Sequence, residues 1–512
     1  MPPVPPRALV VGAALLAGAV AWPRLPDVAA ADAPAGLFSA ARALVHIAEW
    51  AKTPRPNGSA AHAAVVAGAE AELTGLGFVV EREYVPGKRP LTNLVAHAPG
   101  QPTAGGVWLV AHTDSVPESP GAADDGLGLG VVVEAARALS HAGVPADLHV
   151  LLTDGEELGL LGAIAHVDAH PEATRRIVLN VEARGTEGPA YMFQLAGASP
   201  ALLEVWRQAG CGAQATSLAR TVYDQLPNDT DFSVFRRAGY WGYDFALIGG
   251  AHRYHSAEDT PANLDPRSVQ QMGDCVVGLA QGWLGRPRES TDATRVYFQV
   301  PGGTVVSPPW VIQLLGAAAV LALPRPRFWS PVAGAAAWLG ALIVAFLAGF
   351  GLLGVALATR ADFWERDAEM VGAGGWYLAA GAVGSLVAFG AGRLAARPLR
   401  AWGWHAAVVV LAALAALAVP TAGYVLVPGA FVSVLLARGR PGLAVIPAVL
   451  AGLLVTPVLY AIYPALTTRM LPILAVVPVL MLAWMLGPTA AARSPGPAAP
   501  SVALPRRGPT SA

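Results

Sequence analysis

Residues 107–115 read VWLVAHTDS, and this stretch decides the fold class. A short apolar run rich in Val is typical of a strand that is buried on both faces of a sheet. The run ends on His112, and Asp114 follows two residues later. Sites in open α/β sheets lie beyond the carboxyl ends of the strands, and a carboxylate near a His suits the orienter of a metal ligand. The stretch therefore predicts a central strand that delivers a metal-binding His.

Further strands and helices alternate along the chain on both sides of this run. We predict strands at 78–85, 91–97, 148–153, 177–181 and 243–248, and helices at 37–51, 59–76, 124–141, 158–168, 202–209, 231–238 and 266–284. Strands that alternate with helices form a mostly parallel sheet with helices on both faces. The sequence thus predicts an α/β fold for this part of the chain.

The composition changes sharply after the α/β part. Only 13% of the 512 residues are charged, and residues 308–487 are almost wholly apolar. They contain about seven apolar segments, several with the Gly or Pro that membrane helices tolerate. These segments lie at about 308–323, 331–358, 374–392, 404–423, 424–437, 441–461 and 470–487. We predict an all-α, multi-span domain in the lipid bilayer, with seven helices, give or take one.

Charge patterning predicts how this domain is oriented. Arginines occur in alternate loops, whereas the loop at 362–369 is net acidic. The positive-inside rule places the arginine loops in the cytoplasm, so the α/β part lies outside it. The apolar residues 8–22, which follow Arg7, predict the same orientation. They are either a tilted membrane anchor, which we favour, or a signal segment cleaved near 29–31. A net charge of −1 gives no sign of nucleic-acid binding.

Five imidazole and carboxylate side chains stand at predicted strand ends or in the loops after them. They are His112, Asp124, Glu157, Glu182 and His255. Such ligands without thiolates suit zinc and similar divalent ions. The set is too large for one catalytic zinc that keeps a water, but it fits two ions that share one carboxylate. Asp124, at the start of a predicted helix, is the natural shared ligand.

A two-metal site still needs a base for the attacking water. Glu156 adjoins the ligand Glu157, so it can enter the site without binding a metal. Each of these sequence motifs is weak evidence for a metal site alone, because a His-x-Asp triplet or a Glu pair often occurs by chance. Their combination, each after a predicted strand, is what indicates a metal-dependent hydrolase.

The combination resembles the zinc aminopeptidase family with a co-catalytic metal pair, whose relatives include glutamate carboxypeptidase and glutaminyl cyclase. The similar words are AHTDS at 111–115, GAADDGLG at 121–128, DGEELG at 154–159, NVEA at 180–183 and YHSAEDT at 254–260. The twelve-residue step from His112 to Asp124 is also that family's. The resemblance covers roughly residues 38–285 and implies a zinc-exopeptidase-like fold.

The resemblance implies a role for each matching residue. One zinc ion would be held by His112, Asp124 and Glu182, and the other by Asp124, Glu157 and His255. Two further roles would fall to Asp114, which orients the first His, and to Tyr254, which donates a hydrogen bond to the oxyanion. Glu182 departs from the Asp of many soluble members but is similar to members with a membrane-embedded C-terminal half. The vacuolar and endoplasmic-reticulum membrane aminopeptidases are such members.

Together these observations predict five parts. They are a membrane anchor or signal segment at 1–30, an extracytoplasmic zinc peptidase domain at 31–290, a linker at 291–307, the transmembrane domain at 308–487 and a disordered tail at 488–512. The predicted function is that of an aminopeptidase that hydrolyses peptide substrates through a metal-bridging hydroxide, with Glu156 as general base. The alternatives are a glutaminyl cyclase or carboxypeptidase on the same scaffold, or a non-catalytic membrane receptor.

Three weaker features remain open. Arg184 either meets a substrate carboxylate or forms a structural salt bridge. Asp229 or Asp231 is a candidate to hold the substrate's α-amine. Cys211 and Cys275 are either a disulfide or two free thiols. The oligomeric state is not encoded in any pattern that we find.

Overall fold

The structure is a computed structural model of the whole chain. It describes residues 6–99, 106–143, 147–171, 176–197, 199–224, 229–284, 293–324, 330–359, 379–380, 382–387, 398–465, 475–477 and 480. The predicted tail at 488–512 lies outside these residues, as do most of the predicted helices at 374–392 and 470–487.

An N-terminal helix precedes the α/β part, which alternates helices and strands as the sequence predicts. The helices up to residue 290 are α1 (Pro6–Val20), α2 (Ala40–Trp50), α3 (Ala60–Gly75), α4 (Gly126–His141), α5 (Leu161–Ala169), α6 (Ser199–Ala209), α7 (Ser217–Tyr223), α8 (Asp231–Arg237) and α9 (Pro266–Trp283). The strands are β1 (Val79–Val85), β2 (Leu91–His97), β3 (Val107–His112), β4 (Leu148–Thr153), β5 (Ile177–Ala183), β6 (Tyr191–Ala196), β7 (Gln214–Ala215) and β8 (Trp241–Leu247).

These strands form one eight-stranded sheet in the order β1-β2-β4-β3-β5-β8-β6-β7. The central strands β4, β3, β5 and β8 are parallel, whereas β1 with β2, β2 with β4 and β6 with β8 are antiparallel. The α/β class is therefore confirmed, and the mostly parallel sheet is confirmed for its centre and for β6 with β7 at one edge, whereas the three antiparallel pairs make the whole sheet mixed. The reason is that β1 and β2 form a hairpin-like pair, and β6 joins the sheet without a crossover helix of its own.

The period-2 alternation of β3 explains how the sheet is covered. Val107 and Leu109 belong to the main core under α2, α4 and α9. Trp108 and Val110 point to the other face, into a smaller core with α5 and α8. Since every residue of β3 is buried, the strand is fixed on both faces, and His112 at its end is held in a rigid position.

Two predicted helices begin later than their patterns indicate. The helix predicted from 124 begins at Gly126 because Asp125 is its N-cap and accepts a hydrogen bond from the Gly128 N–H. The helix predicted from 158 begins at Leu161, after Leu160 in the left-handed region (φ 62°). The short elements β6, β7 and α7 are absent from the prediction.

A hairpin and a helical part follow the α/β domain. The hairpin pairs β9 (Val296–Val300) with β10 (Gly303–Ser307), and its Tyr297 is buried in the main core. The helices described after it are α10 (Pro309–Leu321), α11 (Ser330–Thr359), α12 (Pro398–Ala418), α13 (Pro420–Gly423), α14 (Val427–Ala437) and α15 (Val445–Ala465). Among the residues that the structure describes, no helix combines the length and the apolarity required to cross a membrane.

The helical part contacts the N-terminal helix α1, the hairpin and helix α7. Helix α1 packs closely on α15, since a Cβ placed at Gly452 would clash with the Ala14 carbonyl oxygen. The Phe298 and Tyr424 rings stack with centroids 4.7 Å apart. In addition, the Ser217 hydroxyl at the start of α7 donates to the Thr421 carbonyl over 2.7 Å. The hairpin and α7 therefore join the two parts.

A disulfide links Cys211, just after α6, to Cys275 in α9, across 64 residues of sequence. This resolves the alternative that the sequence leaves open. Both α6 and α9 contribute to the main core, so the bond connects two helices that already pack together. Its closure of a long loop restricts the unfolded chain.

Replacing both cysteines by Ala should lower the free energy of unfolding by about 2–4 kcal/mol, because the unfolded chain regains the freedom of the closed loop. The measurement is the thermal unfolding midpoint of the full chain with and without reductant. Reductant should lower the midpoint of the wild type and leave that of the double variant unchanged. An equal response of both proteins would contradict the disulfide.

Candidate metal centre

The site lies at the carboxyl end of the parallel strands, and His112 at the end of β3 is the most buried of the five predicted ligands, with 1% of the residue exposed. Nε2 lies 3.0 Å from Asp124 Oδ1, and Nδ1 lies 3.1 Å from the Asp114 carbonyl oxygen and 3.4 Å from Asp114 Oδ1. The Nδ1 side is thus held by Asp114, which leaves Nε2 to face the site.

Asp124 lies between two imidazoles. One carboxylate oxygen faces His112, and the other, Oδ2, lies 3.0 Å from His255 Nε2. Asp124 is held from behind by Asp259, whose two oxygens accept from the Ala123 and Asp124 N–H groups over 2.7 and 3.2 Å. The peptide bond between Asp124 and Asp125 is cis. Asp124 therefore has the position of a shared ligand.

The two other predicted ligands complete a group on each side of Asp124. Glu182 Oε2 lies 3.7 Å from His112 Nε2, and Glu157 Oε2 lies 3.3 Å from His255 Nε2. Ligands 2.0–2.1 Å from a tetrahedral zinc are separated by about 3.3 Å. Asp124, Glu157 and His255 therefore have donor types and a spacing that fit one divalent ion, and His112 has carboxylate oxygens of Asp124 and Glu182 at 3.0 and 3.7 Å.

Asp125 is a competing ligand that the sequence does not predict. One of its oxygens comes close enough to His112 and Glu182 to complete a group of three potential donors. However, its oxygens already accept from the His112 N–H over 3.1 Å and from the Gly128 N–H over 2.8 Å. We therefore assign Asp125 to the scaffold, as a residue that joins the end of β3 to the start of α4.

Asp114 connects the first His to the acidic turn after β4. Its two oxygens accept from the Glu156 and Glu157 N–H groups over 3.1 and 3.3 Å. Burial raises the pKa of this carboxyl, but the hydrogen bond and charge of His112 outweigh burial and bring the pKa below its usual value. Asp114 therefore stays ionised and positions His112 and the glutamate turn together.

Glu156 lies beside the two donor groups with a pKa well above the usual value. Burial is the main cause, and the nearby carboxylates Asp231, Asp124 and Glu157 act in the same direction. Glu157, its neighbour, faces His255 instead. A carboxylate with a raised pKa that does not ligate a metal is suited to accept a proton.

Tyr254 lies against the second imidazole, with ring centroids 3.7 Å apart. Burial raises the pKa of its hydroxyl well above the usual value, and the carboxylates of Asp124 and Glu157 raise it further. The hydroxyl therefore keeps its proton and can donate a hydrogen bond. His255 itself is in the left-handed region (φ 52°), a conformation that non-glycine residues adopt where the surrounding structure holds them.

Arg55 is a supporting residue whose role the sequence does not predict. It is fully buried, and its guanidinium donates to the carbonyl oxygens of Thr113, Pro120 and Gly121 over 2.9, 2.6 and 3.0 Å. The segment that it binds runs from β3 to the ligand Asp124. Burial lowers the pKa of Arg55, while the charges of Asp125 and Asp124 raise it. Arg55 thus offsets part of the negative charge behind the site.

A second polar network lies behind Glu182. Asn180 donates to Asp244 over 3.0 Å and lies 3.5 Å from Glu182 Oε1. Thr230 and Gln194 also donate to Asp244, over 2.8 and 2.9 Å, yet burial raises the pKa of this carboxyl to about 7. Asn180 and Asp244 occur inside otherwise apolar strands, and a polar residue in that position is the signal that would have revealed them.

The three candidates with weaker sequence support, Asp229, Asp231 and Arg184, lie in different surroundings in the structure. Asp229 is exposed and lies 3.2 Å from Arg237. Asp231 is buried and accepts from the Thr153 hydroxyl at the end of β4. Arg184 forms no ion pair with any described carboxylate, so the structural salt bridge is not found in the described part of the chain.

A third group of possible ligands, Glu83, His166 and His170, lies away from the site. Arg176 donates to His166 Nε2 over 2.9 Å, so the ring proton is on Nδ1, which donates to Glu83 over 3.0 Å. The bound guanidinium already supplies the positive charge there. We therefore regard this group as a structural network and not as a metal site.

Comparison with known proteins identifies a family to which part of this chain is similar. Residues 93–280 match the sequence model of Peptidase family M28, and all five predicted ligands lie within that segment. The match confirms the family resemblance that the sequence words indicate.

Two curated relatives are similar to part of this chain. The chain is 29% identical over 231 residues to endoplasmic reticulum metallopeptidase 1 of Mus musculus, which covers 43% of this chain and 26% of that protein. It is 27% identical over 223 residues to vacuolar membrane protease of Lachancea thermotolerans, with coverages of 41% and 22%. The chain thus spans about a quarter of the length of these relatives.

Among solved structures, the chain is similar to a zinc aminopeptidase from Bacillus subtilis. That similarity covers 50% of this chain and 97% of the other, with 17% identity and a TM-score of 0.39.

Arg55→Met should lower the free energy of unfolding by about 3–5 kcal/mol, since it leaves buried carbonyls and carboxylates without their cation. The thermal unfolding midpoint of the full chain measures the change. Arg89→Met, at an exposed position, is the matched control and should have little effect. Equal midpoints for the two variants would show that Arg55 does not support the site.

Proposed function

We propose that this chain is a metallo-aminopeptidase that uses two zinc ions, and the match of residues 93–280 to the sequence model of Peptidase family M28 supports this proposal. Its substrates are peptides with a free N-terminus. The observation that carries the proposal is the Asp124 carboxylate, with one oxygen toward each imidazole. An intact Glu156 beside it favours an enzyme over a non-catalytic receptor, since a binding protein has no need of a base.

The proposed ligands divide into two sets that share one residue. His112, Asp124 and Glu182 would hold one ion, and Asp124, Glu157 and His255 the other. When bound, a pair of divalent ions polarises a carbonyl and lowers the pKa of water. A glutaminyl cyclase needs one ion, so the complete second set supports the peptidase alternative. Cobalt or manganese can replace zinc in such a donor set, depending on availability.

The side chains would then carry the proton transfers. Glu156 takes a proton from the attacking water and returns it to the nitrogen of the leaving amine. The Tyr254 hydroxyl donates to the oxygen that becomes negative as the carbonyl carbon turns tetrahedral. Asp114 keeps His112 oriented, and its hydrogen bonds from the Glu156 and Glu157 N–H groups keep base and ligand in one turn. The general base Glu156 is thereby held next to the proposed ligand Glu157.

We also propose that the chain is attached to a membrane, with the peptidase domain outside the cytoplasm. The names of the two relatives place those proteins in the endoplasmic reticulum and in the vacuolar membrane. The arginine loops and the apolar segments of residues 308–487 support the same orientation here. The Cys211–Cys275 disulfide is consistent with an oxidising compartment.

Glu156→Gln should reduce kcat for leucine p-nitroanilide by about 100- to 10,000-fold, because the water loses its base. Zinc content should stay at the wild-type level, since Glu156 is not a ligand. The assay uses the detergent-solubilised full chain, before and after chelation and zinc return. Glu258→Gln, at an exposed position nearby, is the control. Wild-type-like turnover by the Glu156 variant would refute the assignment of the base.

A further inference from the structure

Arg184 follows the ligand Glu182 by two residues and lies just after the end of β5 at Ala183. The chain bends at Arg184, but the Arg184 N–H still donates to the Leu247 carbonyl over 2.8 Å, which holds this residue beside the end of β8. Arg184 is therefore fixed close to the metal ligand by backbone pairing.

The guanidinium of Arg184 lacks an acceptor among the described residues. Its Nε is buried without a hydrogen-bond partner, and no described carboxylate lies within ion-pair distance. The side chain as a whole is half-buried. A buried donor of a charged group is costly to leave unpaired, so this arginine is suited to an acceptor that arrives with a ligand.

The neighbours of Arg184 place it at the reaction centre. Its guanidinium carbon lies 5.6 Å from the centroid of the Tyr254 ring, which in turn stacks on His255. Arg253, the next arginine along this side, is different, because it donates to the Thr186 hydroxyl over 2.8 Å and lies 3.7 Å from Glu187. Of these two arginines, Arg184 is thus the one whose guanidinium has no acceptor among the described residues.

Carboxylates line the rest of the centre. Of the charged side chains at the centre that are not proposed as metal ligands, Glu156 would repel a negatively charged substrate group, whereas Arg184 would attract it. An arginine fork binds a carboxylate through two parallel hydrogen bonds. The charge distribution therefore favours an anionic substrate group at one position, next to Arg184.

We propose that Arg184 binds a carboxylate of the substrate on the C-terminal side of the scissile bond. This inference rests on the proposed peptidase function and specifies its substrate class. The carboxylate has two possible sources, which are the α-carboxylate of a dipeptide and the side chain of an acidic second residue. Both lie within about one residue, roughly 3.5 Å, of the bond that is cleaved, which suits a side chain that follows the ligand Glu182 by two residues and lies near the Tyr254 ring.

The test compares kcat/KM of the full zinc-loaded chain for four substrates. Leu-Ala and Leu-Ala-amide differ in the α-carboxylate, and Leu-Glu-amide and Leu-Gln-amide differ in the side-chain carboxylate. Wild type should prefer the charged member of at least one pair by about tenfold or more, mainly through KM, as expected for a hydrogen bond to a charged group. The pair that shows the preference identifies the source.

Arg184→Gln should reduce that preference to near one, and Arg184→Lys should restore part of it, because lysine keeps the charge but not the fork. Arg253→Gln is the matched control and should keep the wild-type preference. The inference is overturned if wild type shows no preference in either pair, or if the preference survives in Arg184→Gln.

Failure of the proposed peptidase function can be distinguished from failure of the inference about Arg184. If wild type hydrolyses none of the four peptides, calorimetric binding of the same peptides to wild type and Arg184→Gln decides the inference. Tighter binding of a charged peptide that is lost in Arg184→Gln supports the arginine as a carboxylate site. Equal binding of charged and amidated peptides to wild type overturns it.

Discussion

The Asp124 carboxylate, placed between His112 and His255, is the constraint on which the rest of the site depends. Each oxygen lies 3.0 Å from one imidazole, and these imidazoles come from segments far apart in sequence. The arrangement requires β3, the start of α4 and the loop after β8 to meet at one sheet edge. Asp259 and Asp125 fix the backbone on either side of Asp124 through N–H hydrogen bonds. The scaffold is therefore built around one carboxylate.

This arrangement concentrates negative charge in a buried place, and the fold offsets it in two ways. Arg55 binds three carbonyl oxygens behind the ligands, and the two donor sets are suited to divalent cations. Burial raises the pKa values of Glu156 and Glu182. Cations reduce the cost of ionising such groups. The same acidity explains why the uncommitted Arg184 stands out as a place for an anionic substrate group.

Short sequence motifs predict the metal ligands well, but they do not reveal contacts between residues far apart in the sequence. His112, Glu157 and Glu182 could be found because each stands at or just after the end of an apolar strand, where side chains of α/β sheets converge. Arg55 could not be assigned, since its partners lie about sixty residues away and are backbone carbonyls. The antiparallel pairing of β6 with β8 was equally hidden, because no sequence pattern specifies which strands become neighbours. Asp244 could be noticed in the sequence as a charged residue inside an apolar strand, but the sequence does not show which residues it contacts.

The most direct test of the account is the zinc content of the purified full chain and of two variants. Wild type should bind two zinc ions, Glu157→Ala should retain one, and Asp124→Ala should retain almost none, because only Asp124 contributes to both donor sets. Thermal unfolding midpoints establish that the variants are folded. An Asp124→Ala protein that is folded and still binds two ions would contradict the shared carboxylate, and with it the proposed two-metal site.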